Sequence, residues 1–341
     1  MKVILKLFLP LSKIFGSLLI LFCSGCALFK PSMNPVIHDP EFQHRLANRK
    51  IMVVATGSGT EIKNLEKLKN LAALSVSIPD NLVTNDIPLH ANTDEERLRY
   101  LKEALFNPSK NTIVWALRGG YGSARLIEEL NKLAKPKTEK LFIGYSDITA
   151  LHLFLAQKWN WKPIHGASFI ELLDPEKDPD NFHKLSAIIS GQTSRLQMDN
   201  LKPLNNQAKA LKKVKGSLTG GNLTIIQSGI GTKWQMKAAG KIVFFEDINE
   251  PGYKMDRVLN QLNQSGLLQG VKGIIFGDFT SPEDDDLVDL ALERFATKTN
   301  IPVFKTEQFG HGKMNYPLVY NARSEITFNK KNNKYSLIMY L

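Results

Sequence analysis

From Lys50 onward the chain alternates short β-branched runs with segments of helical period. KIMVVATGSG, at 50–59, is an apolar run closed by glycines, the pattern of a strand and its turn. DEERLRYLKEALFNP, at 94–108, carries Leu98, Leu101, Leu105 and Phe106 at helical spacing, and Pro108 ends it. NTIVWALRGGYGS reads as a strand entering a glycine-rich turn, and ARLIEELNKLA as the helix after it. KLFIGYSD and ITALHLFLAQKW repeat the strand–helix step. Strands alternating with helices predict a parallel sheet covered on both faces, an α/β arrangement over residues 49–170.

The alternation weakens over 171–212, which is polar with one candidate helix and is expected to connect two domains. A second, more β-rich α/β domain is predicted over 213–341. Its segments are KGSLTGGNLTIIQSGIGT, GKIVFFEDINEPGYKMDRVLNQL, VKGIIFGDF, IPVFKTEQFGHG and SEITFNKKNNKYSLIMYL.

The first 25 residues change the picture of where the protein works. Basic residues precede an apolar stretch from Ile14 to Phe22, and small residues follow, as in a secretory signal peptide. Cys23-Ser24-Gly25-Cys26 resembles a bacterial lipobox with Cys26 as the lipidated residue, although leucine is usual where Cys23 stands. The alternative is a single membrane anchor, but the apolar run is shorter than the ~20 residues a span requires. Residues 26–48, polar and proline-containing, are expected to be a tether. The protein is therefore expected in the cell envelope, lipid-anchored and facing the periplasm. Both cysteines, Cys23 and Cys26, lie at this lipobox-like stretch, so the body after it is expected to have no disulfide and no cysteine–metal site.

Composition adds little: 43% hydrophobic and 23% charged residues are ordinary for a soluble globular chain. The net charge of +11 includes Lys2, Lys6 and Lys13 of the leader. Without an arginine-rich tract it describes a solvated basic surface, and nucleic acid is not an expected partner.

The candidate chemistry begins at the corner Gly144-Tyr145-Ser146-Asp147, where a strand passes directly into a helix. In an open α/β fold such a corner lies at the carboxyl edge of the sheet, beside the free N–H groups of a helix N-terminus. Ser146 is then either a nucleophile on an elbow-like turn or, with Asp147, a plain helix cap. Gly119, Gly120 and Gly122 could form a phosphate cradle, a tight turn or an oxyanion donor, though neither dinucleotide nor P-loop spacing is present. A nucleophilic serine needs a base. Among seven histidines, His311, between Gly310 and Gly312, is the best local candidate. His165 follows a strand-like run and could line the site, while His152 reads as a packed helix residue. Glu246 and Asp247 end an apolar strand, where an acid can orient an imidazole, and Glu250 competes with them.

The motifs LRGGYGSARLIEEL, FIGYSDITALH, HGASF, GSLTGGNLT, VFFEDINEPGYKMDRVLNQL and FGHG, in this order, resemble the LD-carboxypeptidase family of serine peptidases. That family includes murein tetrapeptide carboxypeptidases and the microcin C immunity proteins. The resemblance spans roughly Ile51 to the C-terminus. It implies a Rossmann-like N-terminal domain bearing Ser146 as nucleophile. It also implies a β-rich C-terminal domain bearing Glu246 as orienting acid and His311 as general base. The backbone N–H groups of Gly120 and Asp147 become the oxyanion hole. The implied substrate is a muropeptide, the L,D-bond to terminal D-alanine is the bond cut, and no metal or organic cofactor is called for. Arg118 is a candidate for the substrate's free carboxylate, and a homodimer fits the family. The sequence departs from the family at VVATGSGT, where a Pro-Ser or Pro-Ala-Ser turn is frequent, and at YPLVYNA, which replaces Leu-Pro-Leu-Gly. Two other functions compete: hydrolysis of a peptidyl-nucleotide antibiotic, and muropeptide binding without catalysis. The intact Ser146, Glu246 and His311 set argues against the second.

Overall fold

The computed structural model describes residues 33–341 apart from 85, 282 and 283; the expected signal segment, Cys26 and the first part of the expected tether lie outside them. Two β-structures organise the described chain. The first is a six-stranded sheet of β1 (Lys50–Val54), β2 (Ser75–Ser77), β3 (Thr112–Ala116), β4 (Leu141–Gly144), β5 (Ile164–His165) and β11 (Leu318–Val319), in the order β11-β5-β4-β3-β1-β2. All neighbours pair in parallel except β11, which runs antiparallel to β5. Every residue of β3 is buried, as a central strand covered on both faces requires. The Rossmann-like expectation holds, with helices such as Asp94–Leu105 and Thr149–Lys158 between the strands. Thr93 caps the first of these through Glu96 N–H, and its core face is Arg97, Tyr100, Leu101, Ala104 and Leu105. Phe106 falls at the helix end and is exposed, unlike its predicted place on the apolar stripe.

The second structure is a closed barrel. Its strands are β6 (Arg195–Pro203), β7 (Lys213–Asn222), β8 (Ile242–Ile248), β9 (Gly273–Thr280), β10 (Val303–Lys305), β12 (Arg323–Asn329) and β13 (Lys334–Tyr340), in the order β10-β6-β13-β12-β7-β8-β9. Closure leaves no unpaired edge. The pairs β7–β8, β8–β9 and β9–β10 are parallel; the rest are antiparallel.

Two stretches differ from expectation. Residues 35–46 of the expected tether form a short turn and the helix Pro40–Leu46, with Phe42 and Leu46 fully buried. Asn34 and Asp39 cap these elements, each followed by a proline at the first helical position, where its missing N–H costs nothing. Phe42 packs edge-on against Phe182. Within the expected interdomain connection, Arg195–Pro203 is a full barrel strand. Among the described residues no helix is long and apolar enough to cross a membrane.

Candidate active site

At the end of β4 the chain is extended at Tyr145 and then left-handed at Ser146, with φ 62°. A non-glycine residue pays strain there, a conformation that clusters at functional turns. The helix beginning with Ser146–Ile148 has no side-chain cap. The carboxylate of Asp147 instead accepts the N–H groups of Gly122 (3.3 Å) and Ser123 (2.9 Å), so it caps the turn after β3 rather than its own helix. Burial pushes the Asp147 carboxyl up, and these hydrogen bonds oppose the shift. The plain helix-cap explanation of Ser146 therefore fails on geometry.

The turn after β3 packs directly on the serine. A Cβ at Gly119 would lie 2.8 Å from Ser146 Cβ and 3.0 Å from its Oγ. Gly120 has φ 99°, open to glycine at little cost. Beneath it, the Ser58 N–H donates to the Gly119 carbonyl at 3.0 Å, and a Cβ at Gly57 would stand 2.5 Å from that oxygen. The VVATGSGT departure thus supplies the small residue this close approach needs. The N–H groups of Gly120 and Asp147 donate to no other group among the described residues.

The acid and the histidine come from the barrel. Glu246 lies within the buried run of β8, and its Oε2 lies 2.6 Å from His311 Nδ1. Opposite Glu246 the β8–β9 register slips, and Gly277 and Asp278 bulge toward the turn at 309–312. Asp278 N–H donates to the Phe309 carbonyl at 2.8 Å, and a Cβ at Gly277 would fall 2.3 Å from the Phe309 ring. Gly310, at φ 126°, then swings the chain so that His311 faces Glu246. Burial pushes the Glu246 carboxyl up, but the His311 charge and hydrogen bond outweigh it and hold the carboxyl below its usual range. For His311 burial favours the neutral ring, while the Glu246 charge outweighs it and holds the imidazole above its usual range. With Nδ1 committed to the carboxylate, Nε2 is the nitrogen left for proton transfer. Asp247 is pushed up to about 6 by burial and by the neighbouring Glu246 charge. It accepts hydrogen bonds from Asn222 and Thr224 rather than from the imidazole, and its charge only adds to that of Glu246 on His311. Glu250 pairs with Lys254 at 3.1 Å instead of with His311.

Two family models match the chain: the LD-carboxypeptidase N-terminal domain over residues 51–166 and the C-terminal domain over residues 215–326. A Rickettsia prowazekii protein provisionally named a carboxypeptidase is 49% identical over 326 residues, covering 95% of this chain and 98% of its own. The chain belongs to the LD-carboxypeptidase family. It is a serine-type carboxypeptidase, a hydrolase. The murein tetrapeptide carboxypeptidase of Pseudomonas aeruginosa is 31% identical over 251 residues, 70% of this chain and 80% of its own. Among solved structures, the muramoyltetrapeptide carboxypeptidase of Oxalobacter formigenes superposes with a TM-score of 0.72 at 28% identity, covering 86% of this chain and 99% of that one. The microcin C7 self-immunity protein, solved with aspartyl sulfamoyl adenosine, shares the fold at a TM-score of 0.67 and 18% identity, over 85% of this chain and 96% of its own.

Other side chains of the carboxypeptidase lie around this centre. The Tyr145 ring sits 4.8 Å from the His311 ring, bringing the serine corner of the sheet against the histidine turn of the barrel. The Tyr145 hydroxyl donates to Glu171 Oε1 at 3.1 Å. His165 is buried between Tyr145, Phe244 and Phe309, and burial takes its imidazole down to about 4, so it stays neutral and packed. His152 packs against Phe142 and Tyr320, away from the reacting groups, as expected of a helix residue. Arg118 is exposed, donates to the Gly59 carbonyl at 3.3 Å, and lies near enough for its charge to act on the Tyr145 hydroxyl. Tyr145 and Glu171 escape sequence reasoning. The one local signal is the S-x-x-E spacing of Ser168 and Glu171, which forms a capping box here.

Proposed function

We propose that this carboxypeptidase removes terminal D-alanine from peptidoglycan tetrapeptides by a Ser146–His311–Glu246 acyl-enzyme route. The observation that carries the proposal is the 2.6 Å contact between the buried Glu246 and His311 beside the strained Ser146 corner. Relatives named for murein tetrapeptides support the substrate class. His311 Nε2 takes the Ser146 proton as Oγ attacks the scissile carbonyl. Glu246 fixes the tautomer and stabilises the imidazolium that forms. The N–H groups of Gly120 and Asp147 receive the developing oxyanion. His311 then protonates the leaving D-alanine amine, and water resolves the acyl-enzyme by the same steps reversed. Arg118 is the proposed partner of the substrate's free carboxylate.

The test is mass spectrometry of purified muropeptides incubated with the protein. Loss of one D-alanine from tetrapeptide, with tripeptide untouched, is the expected result. An unchanged tetrapeptide together with cleavage of an aminoacyl sulfamoyl nucleoside would move the substrate to the antibiotic class. Binding without any product would leave a muropeptide-binding protein only.

The lipobox-like end of the leader supports a second element of the proposal, that the enzyme works from a lipid anchor in the cell envelope, facing the periplasm. Mass spectrometry of the protein made in a bacterial host is expected to find diacylglycerol on Cys26 and none in Cys26→Ser. An unmodified Cys26 in the wild-type chain would end the anchor proposal.

A further inference from the structure

Lys177 stands in the segment between sheet and barrel, and nothing in its local sequence marks it for chemistry. Its ammonium is nonetheless almost wholly engaged. It donates to the carbonyl of His311 at 2.9 Å and to the carbonyl of Gly312 at 2.7 Å, and it pairs with Glu171 Oε1 at 3.0 Å. Those three contacts use all three donors of a lysine. The two side chains are 14% and 9% exposed, so the ion pair is largely out of water. Glu171 in turn accepts the Tyr145 hydroxyl on Oε1 and the Ser168 N–H, at 2.7 Å, on Oε2. One buried carboxylate therefore joins three things: the residue before Ser146, the capped turn at 168–173, and a cation seated on the main chain of His311.

Glu246 restrains the His311 ring at Nδ1 but does not fix the height of its backbone above the serine. The backbone at 310–312 is a glycine turn, with φ 126° at Gly310; Asn315 Oδ1 and Asp278 N–H hold its entry at Gly310 and Phe309, and at His311 and Gly312 themselves the carbonyls are held by Lys177. We propose that Lys177 and Glu171 are positioning residues, an ionic clamp that ties the backbone of His311 to the Tyr145–Ser146 corner and so sets the distance across which the proton moves. The proposal rests on the serine-peptidase reading above. It assigns neither residue a contact with substrate. Displacement of a reacting group by about 1 Å costs on the order of 100-fold in rate, which is the scale expected if the clamp is released.

The experiment uses the full-length chain in detergent and two readouts. The first is the rate at which a fluorophosphonate labels Ser146, together with kcat and KM on tetrapeptide. The second is the strongly deshielded proton resonance that a short imidazole–carboxylate hydrogen bond gives at His311 Nδ1. Lys177→Met is expected to slow labelling and kcat by about 100-fold with KM changed less than about threefold, and to broaden or shift the proton resonance. Lys177→Arg, which keeps charge and donors, is expected to recover rate to within about tenfold of wild type. Should Lys177→Met fail to fold, Glu171→Gln carries the test, with an expected loss of about tenfold, because its amide oxygen still accepts from part of the three donors. Folded variants with wild-type rates and an unmoved resonance overturn the clamp. So does a Lys177→Arg protein as slow as Lys177→Met, since the loss then follows packing and not the cation. A wild-type chain whose Ser146 never reacts overturns the serine-peptidase reading instead, and the proton resonance still decides the clamp.

Discussion

Ser146→Ala is expected to lower kcat by about 10⁴-fold or more while leaving the fold intact. Removing a triad nucleophile leaves only binding and oxyanion stabilisation, which is why such losses are so large. The stability side follows from the same corner. Ser146 caps nothing, because the adjoining helix has no side-chain cap and Asp147 serves the neighbouring turn. Alanine at φ 62° carries about the same backbone strain as serine. Unfolding free energy is therefore expected to change by less than about 1 kcal/mol. Turnover and denaturant midpoints measured on one preparation decide the matter. Retained turnover at wild-type stability would remove Ser146 from the chemistry, and a large stability loss would make it structural.

Glu246→Gln is expected to lower kcat by about 10³–10⁴-fold, against less than about threefold for Glu250→Gln. The amide keeps the shape of the carboxylate but presents a donor or a neutral acceptor to His311, and the imidazolium loses its counter-charge. Glu250 forms only a partly exposed pair with Lys254, the kind of contact worth about 0–1 kcal/mol at most. The pH profile separates the two further. His311 must be neutral to accept the serine proton, and the Glu246 charge holds it above the usual histidine range. The acidic limb of kcat/KM therefore lies above that range in the wild type, and activity rises through it with increasing pH. Without the charge His311 loses its proton more readily, so the limb moves to lower pH in Glu246→Gln and stays in place in Glu250→Gln. Stability follows the opposite signs of the two shifts. The lowered Glu246 carboxyl stabilises the fold above its ordinary value and loses this as pH falls through the folded one. The raised His311 stabilises it below the ordinary imidazole value and loses this as pH rises through the folded one. A limb that stays put in Glu246→Gln would detach the carboxylate from the base.

Local pattern marks the proposed reacting residues because the turns that hold them are local. A strand that ends in Gly-Tyr-Ser-Asp and starts a helix can only turn sharply, and the glycines around His311 and at 119–120 mark backbone that side chains could not allow. The clamp was illegible for the converse reason. Glu171 and Lys177 meet Tyr145 and His311 across 26 and 134 positions of sequence, and no spacing encodes such contacts. β6 was hidden by its own composition: RLQMDNLKP buries only Met198 and Leu201, and the pairing with β13 is irregular, so no clean alternation survives. The helix Pro40–Leu46 was masked by two prolines and two caps, which read as a polar linker until Phe42 finds Phe182.

The antiparallel strand at Leu318–Val319 also fixes an order of events. The sheet that carries Ser146 is finished by a strand that follows five of the seven barrel strands in the chain. A ribosome that has released the whole of the serine-bearing half has therefore still made a sheet whose outer edge at Ile164–His165 is open. His311 and its turn arrive only just before that closing strand. On the proposed mechanism, hydrolytic competence waits for this segment: a nascent chain that stops short of residue 311 holds the proposed nucleophile without the base proposed to activate it.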